Sequence, residues 1–543
     1  MARRTSRSAT IRPVTDLLAS LTAPIAGAVA ALADGAAAGV ELERPADAEH
    51  GDYATSVAMR LARQLKRPPR QIAEEIAQRI QGDEIAAIEI AGPGFLNLRM
   101  APSWYRSGLA RILAAGPAYG RGQATAQRVN VEFVSANPTG GLTIGSARNG
   151  AYGDCVARLF AFAGHDVTRE YLINDAGNQV QLLGASLRAL KRGEEPPEGG
   201  YGGDDVREVA AALPLAPDAP VEDWVEPGID AMMERVRASL ERMRVHMDVW
   251  FSERASHARG AVDAAIARAR AAGHVYEQDG AVWLATSRFG DDKDRVLVKA
   301  DGDKTYFAGD LAYVDDKLGR GFEHLVYVLG SDHHGYIGRL KAAAACLGHD
   351  PARMDVITYQ LITVSGERMG KRRGNVVSLD ELVEAIGVDA ARFFLVQRSH
   401  DQVLDIDTDL ATESSSKNPV YYVQYAHARA SRLIRLAAEE DGAVVGDPSR
   451  VDYDPQPQER TLVKRLVEWP AVARDAFELR APHRIVAYAL TLAGEYHVFQ
   501  HDLSVRQAET PDARAFRLAL AQATRQTIAT ALDLVGVSAP EQM

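Results

Sequence analysis

The spacing of apolar residues changes several times along the chain, and the changes divide it into three stretches. Residues 17–38 are alanine-rich, with apolar positions at helical intervals, which predicts an amphipathic helix. Residues 53–65 and, after the Pro68-Pro69 break, residues 70–80 carry the same spacing. Residues 85–90 and 95–98 are strand-like runs around Ala-Gly-Pro-Gly, and Gly116-Pro117 with Gly120 and Gly122 marks a connector. Residues 129–134, Val-Asn-Val-Glu-Phe-Val, then predict a strand, 135–141 a turn, 147–164 a helix and 166–173 a second strand. Strand, glycine-rich turn, helix and strand in that order make the βαβ unit of a doubly wound parallel sheet.

The pattern beyond that unit is mixed, then uniform. Residues 193–203 are polar and rich in Gly, Pro and Glu, a surface loop in an insertion. Residues 206–272 read as mostly helical, 280–285 with 295–299 as a hairpin-like pair, and 324–329 and 355–363 as a resumption of the sheet. From residue 382 onward nearly every apolar run is helical, and helices over 418–436, 458–476, 483–499 and 511–535 predict a bundle. The resulting division is an N-terminal α+β unit over 1–115, an α/β unit over 116–385 with an insertion around 185–295, and an all-α unit over 386–543.

Composition narrows the class of protein. A chain of 543 residues exceeds one hydrophobic core, and 46% hydrophobic with 25% charged residues is ordinary for a globular protein. A net charge of -11 argues against a uniformly basic coat for nucleic acid, although a local basic stripe escapes such a total. Cys155 and Cys346, the two cysteines, sit in apolar runs and are expected to be buried. They exclude a disulfide framework or a cysteine-rich zinc site, and a reducing cytoplasm fits them. The start, Met-Ala-Arg-Arg-Thr-Ser-Arg, faintly resembles a secretory signal, but Asp16, Pro24 and Asp34 break up any compact apolar run; a frayed basic tail is expected. No stretch reaches the roughly 18 apolar residues of a membrane span.

Two segments carry candidate chemistry. Leu142-Thr-Ile-Gly-Ser146 lies between strand and helix, where unpaired N–H groups and the positive end of the helix dipole favour phosphate. Gly140, Gly141 and Gly145 leave room for a nucleotide against the backbone. A plain βα turn with Ser146 as its cap is the ordinary alternative. The spacing departs from the dinucleotide-binding and Walker A patterns. The second segment, Ser365-Gly-Glu-Arg-Met-Gly-Lys-Arg-Arg-Gly-Asn375, places Arg368, Lys371, Arg372 and Arg373 between glycines. Such a loop can stabilise charge on a leaving pyrophosphate, or it is a solvated basic loop that meets an RNA backbone.

Together the two segments resemble the paired signatures of class I aminoacyl-tRNA synthetases, His-Ile-Gly-His and Lys-Met-Ser-Lys. Val131-Glu-Phe-Val-Ser-Ala-Asn-Pro-Thr-Gly140, Arg169-Glu-Tyr-Leu-Ile-Asn-Asp-Ala-Gly-Asn-Gln179, Phe289-Gly-Asp-Asp-Lys-Asp-Arg295, Thr305-Tyr-Phe-Ala-Gly-Asp-Leu-Ala-Tyr313 and Gly330-Ser-Asp-His-His-Gly-Tyr336 are similar to the arginyl members. So are Asn418-Pro-Val-Tyr-Tyr-Val-Gln-Tyr-Ala-His-Ala-Arg429 and the ending Gly536-Val-Ser-Ala-Pro-Glu-Gln-Met543, so the likeness runs from about Gly51 to the end.

The resemblance implies a Rossmann-like catalytic domain, an N-terminal domain touching the outer corner of tRNA and a helical anticodon-binding domain. It implies a cytoplasmic monomer that activates L-arginine with ATP and Mg2+ and passes it to the 3' end of tRNA(Arg), with adenylate formation itself requiring the tRNA. By resemblance, Gly141, Thr143, Gly145, Ser146, Asp332, Met369 and Lys371 bind ATP, with Lys371, Arg368, Thr143 and Ser146 active in catalysis. Glu132, Asn137, Tyr306, Asp310 and His333 bind arginine, with Glu132 or Asp310 on the guanidinium or the α-ammonium group. Tyr421, Tyr425 and Arg429 are the expected tRNA contacts, by stacking and phosphate pairing, although helix packing also explains a tyrosine there. No protein-ligated metal is expected, since His333 and His334 lack further ligands at suitable spacing. The chain departs from the family at both signatures: Thr143 and Ser146 replace the histidines, Arg368 the first lysine and Gly370 the serine.

Overall fold

Pro69, Pro102, Pro419, Pro457 and Pro511 each open a helix, at the position where a missing N–H leaves no hydrogen bond unmade. The structure is a computed structural model and describes residues 16–32, 39–80, 82–123, 125–331, 335–365 and 377–543. The basic tail expected at the N-terminus, Asp332 and His333, and Arg368, Met369 and Lys371 lie outside the described residues.

In chain order, the first unit comprises α1 (Leu17–Leu32), β1 (Tyr53–Thr55), α2 (Val57–Leu65), α3 (Pro69–Arg79), β2 (Ile85–Ala91), β3 (Phe95–Met100) and α4 (Pro102–Ala115). Next come β4 (Arg128–Glu132), α5 (Ile144–Phe162), β5 (Asp166–Ile173), α6 (Asn178–Lys191), α7 (Asp204–Ala212), α8 (Val221–Arg242) and β6 (Val249–Ser252). They are followed by α9 (Glu253–Ala258), α10 (Ala261–Ala271), β7 (Val275–Gln278), β8 (Ala281–Leu284), β9 (Arg295–Val298), α11 (Tyr306–Gly319), β10 (His324–Gly330), α12 (Tyr336–Cys346), β11 (Met354–Tyr359) and β12 (Ile362–Ser365). The last set is α13 (Leu379–Ile386), α14 (Val388–Val396), β13 (Leu404–Asp407), α15 (Thr408–Thr412), α16 (Pro419–Asp441), α17 (Pro457–Glu478), α18 (His483–Asp502) and α19 (Pro511–Leu534).

Five parallel strands in the order β11-β10-β4-β5-β6 form the central sheet. The chain leaves β4 toward β5 and leaves β10 toward β11, on opposite sides. The crevice beyond the ends of β4 and β10 is therefore the point where ligands gather in such sheets. The α/β expectation for this sheet and the helical bundle of α16 to α19 is met. Four strands escaped the sequence reading. β1 opens the 53–65 run read as helical, β6 sits within the later run read as helical, β7 adds a third strand to the expected hairpin, and β13 pairs in parallel with β12 beyond residue 382. Each is only three or four residues long, too short for its period to be read against flanking helices.

Helix α5 is the pivot of the molecule. Gly153 faces the Phe133 ring so closely that a Cβ there would lie 2.3 Å from it, which lets α5 press onto the sheet. One residue on, the buried Asp154 is met by Arg392 at 2.6 Å, Arg158 at 2.8 Å and Arg169 at 3.3 Å. Burial opposes its charge, but the three guanidinium groups outweigh burial and hold the carboxyl below its ordinary range. Arg392 also donates to the carbonyls of Val535 and Met243, so the same group ties α5 to the end of α19 and the end of α8. Cys155 and Cys346 are both buried free thiols.

Candidate active site

Strand β4 ends in an unusual bend. Val134 (φ 67°) and Ser135 (φ 42°) are both left-handed, a conformation that costs a β-branched residue on the order of 1–3 kcal/mol. Local bonds hold it: Asn149 of α5 accepts from the Val134 N–H at 2.8 Å and donates to the Val328 carbonyl of β10 at 3.0 Å. The Ser135 hydroxyl accepts from the Leu172 N–H at 3.1 Å and donates to Glu132, also at 3.1 Å. The bend carries residues 136–142 beyond the C-terminal end of β4 and on to α5.

At the start of α5 the cap is Thr143, not Ser146: the Thr143 hydroxyl accepts from the Ser146 N–H at 3.3 Å. The helix therefore begins three residues before the predicted 147, because Ile144 is already in helical geometry behind the cap. The two hydroxyls face each other at 3.4 Å. Gly140, Gly141 and Gly145 have no left-handed φ, so backbone conformation does not require them. The Gly141 N–H donates to the carboxylate of Asp205 from α7, so this turn already holds an oxyanion.

Beside the turn, residues from β5, β6, α9 and α11 enclose a cavity of about 260 Å³. Asn137, Tyr306 and Asp310 line it, so the structure brings three of the arginine-site candidates together. Asn137 accepts from Asn174 at 3.0 Å. Tyr306, 71% exposed, stands at the mouth. Asp310 accepts from the Tyr336 hydroxyl. Burial pushes the Asp310 carboxyl up to about 7, and the charges of Glu253 and Glu132 add to burial while the Tyr336 bond and Arg339 oppose it. Glu253 is raised too, by burial and then by Asp175. No lysine or arginine is among the described residues that line the cavity.

Glu132 is not in that lining. It is 5% exposed beneath the cavity, paired with Lys317 at 2.5 Å. Next to it on β5, the buried Glu170 is held by both nitrogens of the Arg320 fork at 2.7 and 2.8 Å. The two strand carboxylates, Lys317 of α11 and Arg320 just past its end form a layer that explains how charge is tolerated inside the sheet. Tyr421, Tyr425 and Arg429 lie elsewhere, on α16. The two tyrosine rings stack at 6.0 Å, Arg429 lies 5.6 Å over the Tyr425 ring, and Tyr425 is 40% exposed.

Sequence reasoning passed over Glu253, Asn174, Gln179, Tyr313 and Tyr336 as cavity residues. Four of these five sit inside segments already singled out, 169–179, 305–313 and 330–336. Glu253 had no such signal, because the short β6 that delivers it was read as helix.

Three family descriptions match the chain: "Arginyl tRNA synthetase N terminal domain" over residues 19–100, "tRNA synthetases class I (R), catalytic domain" over 108–197 and 223–434, and "DALR anticodon binding domain" over 423–543. An arginine--tRNA ligase of Frankia alni is 47% identical over 522 residues, 93% of this chain and 95% of that protein. The Thermus thermophilus arginyl-tRNA synthetase structure is similar with a TM-score of 0.77 at 23% identity, over 97% of this chain and 100% of that one. That of the Plasmodium falciparum enzyme has a TM-score of 0.75 at 13% identity, over 98% and 100%. At such identities these two structures speak for the fold.

Proposed function

The chain belongs to the arginyl-tRNA synthetase family, and on that premise we propose that the cavity at Asp310 holds the arginine side chain and the turn 140–146 the ATP phosphates. The reaction follows from the family: ATP-dependent activation of L-arginine to arginyl-adenylate, then transfer to the 3' end of tRNA(Arg). In the first step a carboxylate oxygen of arginine bonds to the α-phosphorus while the bond to pyrophosphate breaks. In the second, a terminal hydroxyl of the tRNA takes the arginyl group, releasing AMP.

One observation carries the assignment: Asp310 and Glu253 crowd a cavity with no lysine or arginine among its described lining residues, His257 at 3.7 Å from Glu253 being its one basic side chain among them, and burial holds both carboxyls above their ordinary range. A guanidinium supplies the missing charge, with planar donors suited to carboxylates. Glu132 adds negative charge from below, while Asn137 and Tyr306 orient the ligand. At the turn, ATP takes the Gly141 N–H now used by Asp205. Thr143 and Ser146 donate hydrogen bonds without positive charge, so Lys371 and Arg368 of the 366–376 segment neutralise the pyrophosphate. Asp332 takes the ribose hydroxyls of ATP, Met369 is a further ATP-binding residue, and His333 completes the arginine site.

Magnesium enters with ATP and is held largely by phosphate oxygens. Tyr421, Tyr425 and Arg429 receive bases and phosphate of the tRNA, and the 1–115 unit touches its outer corner. The protein acts in the cytoplasm, a reading in keeping with its free buried thiols, and as a monomer, as the family resemblance implies. Among the described residues, no helix is long and apolar enough to cross a membrane.

A pH titration tests the arginine site. In the empty cavity Asp310 ionises at about 7, and only the carboxylate attracts a guanidinium. Arginine binding should therefore weaken about tenfold between pH 8 and pH 6, as the competent fraction falls. Calorimetry in buffers of different ionisation heat should find close to one proton released at pH 6 and almost none at pH 8. Affinity without pH dependence or proton release would remove Asp310 from the site.

A further inference from the structure

Arg148, on the first turns of α5, is 0% exposed. Among the described residues it has no carboxylate at ion-pair distance. Its guanidinium donates instead to three backbone carbonyls: Gln360 at 2.8 Å, Gln402 at 3.0 Å and Ser399 at 2.9 Å. A buried cation without a counter-ion is an expensive way to fill space, and an apolar side chain of similar volume generally stabilises a core at least as well. Burial accordingly lowers its pKa from the usual arginine range. What this arrangement provides is geometry, since a rigid fork fixes two chain segments, through three carbonyls, against one helix.

Those segments border the basic 366–376 stretch. Gln360 precedes β12, which ends at Ser365, and Ser399 and Gln402 precede β13, its partner strand. The two approaches are also bonded to each other, the Gln360 N–H donating to the His400 carbonyl at 2.8 Å. The Thr363 and Ser365 hydroxyls donate to Asp405 of β13 at 2.6 and 2.7 Å. On the far side of the stretch, Val377 accepts from the Ile144 N–H at 2.9 Å, Leu379 donates to the Leu142 carbonyl at 2.8 Å, and Ser378 bridges Thr143. Both flanks of the basic segment are thus fastened to the start of α5, one through backbone bonds at the nucleotide turn and the other through Arg148.

We propose that Arg148 is a positioning residue for adenylate formation, holding the β12–β13 flank of the 366–376 segment in register with the nucleotide turn at Thr143. It touches no substrate and acts through Lys371. The proposal rests on the reading that Lys371 serves the activation step. A displacement of about 1 Å in a catalytic group can cost on the order of 100-fold in rate, so a modest loosening of this flank has a measurable effect.

The test is a double-mutant cycle on the full-length protein, read by tRNA-dependent pyrophosphate exchange and by calorimetric arginine binding. Arg148→Lys keeps the charge but cannot serve three carbonyls with one fork. Arg148→Gln keeps two donors without charge and stands in where the lysine variant does not fold. Either is expected to slow exchange about 10- to 100-fold while arginine affinity stays within about twofold. Combined with Lys371→Ala, it should add less than about threefold to the loss from Lys371→Ala alone, because both remove one function. Losses that multiply, or a fall in arginine affinity as large as the fall in rate, would overturn the proposal. A Lys371→Ala protein with unchanged exchange would instead sink the role of the basic segment, and with it the group through which Arg148 acts.

Discussion

Asp310→Asn is expected to weaken arginine binding by about 30- to 150-fold and to leave kcat at saturating arginine much less affected. Losing one charged hydrogen bond to a buried ion costs about 2–3 kcal/mol, which corresponds to that range. Glu253 and Glu132 remain and keep the cavity negative, so binding is weakened rather than abolished. A stability measurement separates this outcome from misfolding. The Asp310 carboxyl is raised to about 7, so its ionisation favours the unfolded chain, where the ordinary value of 3.8 applies. Its stabilising protonated state is fully present below about 4 and lost as pH rises through about 7. Asparagine carries no such loss, so at pH 8 without arginine the variant should melt no lower than the parent. Weaker arginine binding in an equally stable protein supports the site; unchanged binding removes Asp310 from it.

Lys371→Ala is expected to lower the rate of adenylate formation by about 100- to 1000-fold with arginine affinity nearly unchanged. The reason is the composition of the other half of the site. The nucleotide turn offers Thr143 and Ser146, whose hydroxyls face each other at 3.4 Å and carry no charge. The oxyanion next to it, Asp205, has the wrong sign to help a departing pyrophosphate. Positive charge must therefore arrive from the 366–376 segment, and removing a preorganised cation from a developing anion affects the transition state more than the ground state. Pyrophosphate exchange in the presence of tRNA gives the rate and calorimetry the affinity. An unchanged rate would contradict the role given to Lys371.

Much of this was legible in the residues themselves. The unit β4, α5 and β5 announced itself because alternating and helical periods meet at a glycine-rich turn, and β5 begins and ends where its apolar pattern does. The long bundle helices are legible for the same reason, each carrying several turns of one period. Short strands flanked by helices are not, since four residues cannot establish a period, and the cost was Glu253. The carboxylate Glu132 shows a different limit. Its cost inside an apolar strand predicts a partner, but the partner lies 185 residues away on α11, where Lys317 reads as an ordinary helix cation. The turn illustrates a third. Thr143 and Ser146 are both good caps, and only the backbone conformation, extended at Thr143 and helical from Ile144 on, shows that Thr143 takes the role. Nothing in the sequence singles out Arg148, because its three carbonyl partners come from two later segments that no local pattern connects.

The central claim is that a negative cavity selects a guanidinium for attachment to tRNA, and a charging assay tests it most directly. The purified protein, its own tRNA(Arg) and ATP would be supplied with arginine, or with citrulline, lysine or glutamine in its place. Citrulline is decisive because it keeps the shape of arginine and lacks the charge. The account predicts arginylated tRNA, pyrophosphate exchange that appears only when tRNA is present, and negligible charging with the other three. Failure of the folded protein to attach arginine, or equal charging with citrulline, would contradict it.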